Sequence, residues 1–146
     1  MDSHSSSATP AAGQVNFALL ILRVASAMVF LYHGSAILLG GFGGPGPQRF
    51  AAFMHVPVIV GYLVGLAQFG GGVAMLTGAL IRVGALCIMI VMAGAMFLVH
   101  LPKGFDISKG GYEFALTEFL IAFALLLTGS GAYSLGRVMP GALKRM

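Results

Sequence analysis

The run Val58-VIVGYLVGLAQFGGGVAMLTGALIRVGALCIMIVMAGAMFLVHL-Leu101 contains a single charged residue, Arg82, and it decides the fold. Arg82 divides it into two apolar stretches, Val58–Leu80 and Val83–Leu101. Two more, Phe17–Leu39 and Tyr112–Tyr133, flank them, and the four stretches hold 19 to 23 residues each. A helix rising 1.5 Å per residue needs about 20 residues to cross the roughly 30 Å hydrocarbon layer. Buried in lipid, backbone amides must be paired within a helix or a closed barrel, and none of the stretches alternates with period two as barrel strands do. The expected fold is all-α, an integral membrane four-helix bundle.

Composition agrees. Of the 146 residues 58% are hydrophobic and 8% charged, with mean hydropathy +0.96, whereas soluble domains are about 25% charged. So little sequence lies outside the spans that a soluble catalytic domain has no room. The expected organisation is a disordered N-terminal tail at 1–16, a four-helix transmembrane domain at 17–136, and a short basic C-terminal tail at 137–146. The tail lacks the basic region of a signal peptide, so cleavage is not expected.

Four spans place both termini on one side with the turn at Arg82. Arg23, Arg82, Arg137, Lys144 and Arg145 belong to that side; Arg49, Lys103 and Lys109 belong to the other. The basic excess predicts a multi-pass protein of the cell (inner) membrane with cytoplasmic termini. Arg23 is expected to snorkel to the cytoplasmic surface. The net charge of +4 reflects these anchors and not nucleic-acid binding, because no basic stripe is interleaved with aromatics. The lone Cys87 excludes a disulfide relay and reads as packing.

Polar residues inside the spans mark the candidate site. Gly61, Gly65, Gln68 and Gly72 share one face of the second span; the glycines read as a packing seam, and the mid-membrane amide needs a partner. Arg23, Ser26, Phe30 and His33 align on the first span, and Met89, Ala93, Met96 and His100 on the third. Glu118 lies about 9 Å into the fourth span, where ionisable residues mark function or a buried pair. Glu113 in its first turn also complements the helix dipole, and His100 also suits an interfacial position. By depth, His33, His100, Glu113 and Glu118 fall in the same, outer half, with Gln68 deeper. A polar pocket lined by His33, Gln68, His100, Glu113 and Glu118, closed by the Gly40–Pro47 loop, is the expected binding site. No catalytic residue and no metal ligand set is assigned, since the Glu-x-x-His spacing of bundle metal centres is absent.

Leu22, Arg23 and Phe30-Leu31-Tyr32-His33-Gly34, then Phe69–Arg82 with its glycines, then Gly111-Tyr112-Glu113 with Gly129-Ser130-Gly131 and Tyr133-Ser134-Leu135, resemble the DoxX family of small four-span membrane proteins. The likeness covers about residues 16–136. Two departures stand out: Ile37 where the family pattern often has lysine, and Gln68 where it has glutamate. If those family charges pair across the first two helices, losing both together avoids an orphaned buried charge. The resemblance implies an association with quinol oxidase or thiosulfate-to-quinone electron transfer. The expected role is therefore an accessory or scaffold subunit in membrane redox metabolism, and enzymatic activity by this chain alone is not expected. The alternative is a quinone-binding subunit of a quinone-linked oxidoreductase, with quinone as cofactor. In it His33 and Glu118 are hydrogen-bond donor and proton relay, flanked by Phe30, Tyr32 and Phe69. A haem between His33 and His100 and a small-solute transporter are weaker alternatives. Partners are the lipid bilayer and either a redox enzyme or a second copy.

Overall fold

The computed structural model describes residues 11–138. Its five α-helices are α1 (Ala12–Leu38), α2 (Gly46–Phe53), α3 (Val58–Thr77), α4 (Ile81–Ala95) and α5 (Glu113–Thr128). Helix α4 continues through a π-helical segment, Met96–His100, and a 3-10 turn, Leu101–Lys103. Three of these pass the length and hydropathy required to cross a membrane: α1, α3 and the Ile81–Lys103 rod.

The fourth span is shorter than expected. Helix α5 has 16 residues, about 24 Å of rise, because Gly129 at φ 75° turns the chain out of the helix. At the other end, α1 starts at Ala12, so residues 12–16, expected in the tail, form its first turns. The remainder of that expected tail, residues 1–10, and positions 139–146 lie outside the described residues. Helix α2, an eight-residue element that the Gly/Pro-rich composition concealed, has Pro47 in its first turn, where a missing N–H costs nothing.

The helices pack in chain order: α1 most closely on α3, α3 on α4, and α4 on α5, while α1 and α5 touch lightly. Ala27, Phe30, Met75, Ala85, Ile88, Ala122 and Leu125 form the core among them. Close approach of α1 and α3 depends on glycine. A Cβ at Gly34 would run into the Phe69 backbone, one at Gly65 would lie 2.9 Å from Leu38 N, and one at Gly72 2.9 Å from Leu31 N. Gly61 meets the Pro47 carbonyl of α2 in the same way. The α3 seam is thus occupied within the chain, by α1 and α2.

Arg23 does not snorkel; it is 1% exposed. Its Nε donates to the Met75 carbonyl at 2.8 Å and Nη2 to Leu76 at 3.0 Å, while Nη1 donates to Ser130 at 2.9 Å and to Tyr133 at 2.5 Å. The physical reason is local supply. The last carbonyls of a helix have no intrahelical donor and carry the negative end of its dipole, so the end of α3 and the turn after α5 offer acceptors closer than water. Gly78, at φ 73°, makes room, since any Cβ there would strike the guanidinium. Asn16 Oδ1 accepts from the Ala132 amide at 2.8 Å and the Ser134 hydroxyl donates to the Gly78 carbonyl at 3.0 Å, so the start of α1, the segment after α5 and the α3–α4 turn share one end of the bundle.

Candidate functional site

On the opposite, loop-bearing end, a cavity of about 400 Å³ lies among α1, α3, α4 and α5. His33, Gln68 and His100 border it with Phe30, Met92 and Ala115. Three of the five residues expected at the pocket therefore meet. Each arrives from a different helix, and each for a different local reason.

His33 continues the α1 stripe on which Arg23, Ser26 and Phe30 are buried, but it sits at the rim and is itself exposed, edge-on to Tyr32 with ring centroids 5.3 Å apart. Gln68 is 6% exposed, on the α3 face that glycine brings against α1. Its Oε1 is buried and accepts no hydrogen bond. An amide oxygen stranded in this way costs on the order of 1–3 kcal/mol, so it signals a role beyond packing.

His100 owes its place to the π segment. The buried stripe of α4 is Ile81, Ala85, Ile88 and Met92, one residue out of step with the expected Met89, Ala93, Met96 and His100 face. Continued at α-helical spacing, that stripe would reach Ala95 and then Val99. One extra residue in the widened turn puts His100 on the cavity after Ala95 instead, and single π turns recur at functional sites for this kind of re-aiming. Nδ1 of His100 donates to the Gly110 carbonyl at 2.6 Å, which leaves Nε2 as the acceptor of the neutral ring. The loop that supplies Gly110 is itself tied down. Asp106 Oδ1 accepts from the Ser108 amide at 2.8 Å and the Ser108 hydroxyl at 2.7 Å, and these bonds hold its carboxyl below the ordinary value.

The two glutamates stand apart from the cavity. Glu118 is 6% exposed and accepts from the Ser26 hydroxyl at 2.6 Å, joining α5 to α1 nearer the bundle centre. Glu113 turns to the second loop, where its Oε2 accepts from the Ile107 amide at 3.1 Å. His33 and Glu118 are consequently not a donor and relay across one space. Of the expected flanking aromatics Phe30 lines the cavity, while Tyr32 stacks on Phe42 with centroids 4.9 Å apart. The covering loop differs as well: Ile107 of the second loop borders the cavity, and the Gly40–Pro47 loop leads into α2, away from it.

Sequence reasoning missed a second space. A groove of about 320 Å³ runs between α2, α3 and α4, walled by Phe50, Val60, Val64, Ile90, Gly94 and Leu98. Gln68, Ala95 and His100 border both it and the cavity. The signal available in the sequence was Gly94, a glycine off the buried α4 stripe with open space where its Cβ would be.

Comparison with known proteins bears on this architecture. The DoxX family profile matches residues 18–101, which take in α1 through α4 and carry His33, Gln68 and His100. The chain is also 31% identical over 121 residues to the inner membrane protein YqjF of Escherichia coli (strain K12), covering 83% of this chain and 91% of that protein. No solved structure matches. With more than half its length matched by the family profile, and a curated relative aligned along nearly all of its own length, this integral membrane protein belongs to the DoxX family.

Proposed function

We propose that the chain is an accessory subunit of membrane redox metabolism, with cytoplasmic termini, whose cavity at the loop-bearing end holds the ring of a quinone-type ligand. The observation that carries this reading is Gln68 Oε1, a buried acceptor without a donor at the edge of a 400 Å³ cavity. A ligand that supplies the donor recovers the lost hydrogen bond only when bound.

The polar groups at the cavity fit such a ring. Gln68 Oε1 accepts, and with Nδ1 of His100 donating to Gly110 its Nε2 accepts when the ring carries one proton, which suits the hydroxyls of the reduced, quinol form. Turned end for end, the same amide donates to a ketone oxygen, so Gln68 serves both forms while His100 favours the hydroxyl. Phe30 and Met92 supply apolar contact to a ring face. When bound, a quinone supplies two-electron, two-proton chemistry; the chain itself positions the head. Glu118, fixed to Ser26, has no part in holding the ring.

The test is ligand retention. Protein purified in native lipid is expected to carry extractable quinone and to bind added tail-less benzoquinone saturably, with Gln68→Leu weakening that binding by about tenfold, the loss of one good hydrogen bond. A well-folded wild-type preparation without saturable binding overturns the reading.

A further inference from the structure

The geometry points to the groove between α2, α3 and α4 as the tail channel of the same site, so that the ligand is a single-tailed amphipathic lipid with its polar ring at Gln68 and its hydrocarbon chain along α4. The inference rests on the proposed ring site and specifies the other half of its occupant.

Continuity comes first. The groove and the cavity share Gln68, Ala95 and His100, so a molecule seated at the orphaned Gln68 oxygen has an apolar exit on that side. Shape comes next. From Ile90 to Leu98 the groove follows α4 for about 12 Å, room for a short extended hydrocarbon chain. Lining agrees, because Val60, Val64, Ile90 and Leu98 offer no polar side-chain atom to a second head, and the groove's polar residues, Gln68 and His100, both lie on the boundary it shares with the cavity. Gly94 leaves the floor open: nothing lies within 4 Å of where its Cβ would stand. A glycine in a helix costs up to about 1 kcal/mol relative to alanine, and here no close helix contact repays it.

Gly94→Phe, which fills the groove without a backbone clash, separates tail from head. Binding of decyl-benzoquinone and of the same ring without its tail is measured for wild type, Gly94→Phe and Gln68→Leu in nanodiscs of one lipid composition. Partition into the bilayer is common to variant and wild type and cancels in each ratio. Gly94→Phe is expected to raise the Kd of the decyl compound about tenfold through lost packing and leave the tail-less Kd within about twofold. Gln68→Leu is expected to weaken both. If Gly94→Phe, folded by its thermal transition, leaves the decyl Kd unchanged, the groove holds ordinary lipid and the tail channel is overturned while the ring site stands. If the wild type binds neither compound, both readings fall. A diazirine on the decyl chain provides an independent readout: labelling concentrated on the Ile90–Leu98 peptide supports the channel, and labelling spread over all lipid-facing peptides overturns it.

Discussion

The Ser26 hydroxyl donates to Glu118 Oε2 at 2.6 Å across the light contact of α1 with α5. Both side chains are buried, and the bond satisfies a carboxyl that no cation approaches within ion-pair distance among the described residues. Ser26→Ala is therefore expected to cost about 1–3 kcal/mol, the penalty for leaving a buried acceptor unpaired. Glu118→Gln keeps an acceptor for the hydroxyl and should stay close to wild type. Combined with Ser26→Ala, Glu118→Leu should cost less than the two singles added, since no polar group is then stranded. Thermal unfolding of the purified protein in one detergent checks all four variants.

Arg23 gathers carbonyls from two otherwise separate places, and its planar fork is what reaches them together. Arg23→Ala should destabilise by roughly 3 kcal/mol or more, with Arg23→Lys recovering only part, because an ammonium cannot reproduce the fork. Limited proteolysis should show the 130–138 segment released in both variants.

The glycines divide into two classes with opposite expected signs. Gly34→Ala forces Cβ against the Phe69 backbone and should separate α1 from α3 at a cost of about 1–3 kcal/mol. Gly70→Ala meets nothing within 4 Å and should stabilise by up to about 1 kcal/mol through helix propensity alone. Melting temperatures moving in the same direction would contradict this assignment of the packing seam.

Position 68 should trade stability against binding. Gln68→Leu removes the stranded oxygen, so it is expected to leave the melting temperature unchanged or higher even as the ring site weakens. Gln68→Glu alone should lower it. Ile37 stands, 8% exposed, on the facing helix, with no lysine there to pair a new carboxylate. Thermal unfolding in the absence of ligand measures both.

Asp106 gives a pH signature outside the membrane. Its carboxyl is held below the ordinary value by the Ser108 hydroxyl and amide, so the turn's stabilisation is complete above the unfolded value of about 3.9. It is lost as pH falls through the lower folded value. The protection factor of the Ser108 amide, corrected for the intrinsic pH dependence of exchange, should hold at pH 5 and fall as pH drops through the folded Asp106 value, and Asp106→Asn should flatten that dependence.

Much of this was legible in the chain. Span length and hydropathy expose the long helices, and the spacing of Gly61, Gly65, Gln68 and Gly72 exposes one face of α3. Arg23 was misread because a helix counted from Phe17 puts it near the end, whereas α1 starts at Ala12 and the exposed acceptors belong to other segments. Periodicity is also blind to an added residue per turn, so the π segment that seats His100 left no trace in the spacing. Depth along a helix said that Glu118 and His33 share a half of the membrane. Only the packing order says that Ser26 intercepts the carboxyl first.

The arginine lock has a consequence for biogenesis. A ribosome delivers α1 with its guanidinium unmet; two acceptors arrive when α3 is threaded into the bilayer, and the others only as residues 130–133 emerge. Until then the nascent hairpin carries a half-satisfied cation, so the bundle closes around Arg23 only after its last helix is in place.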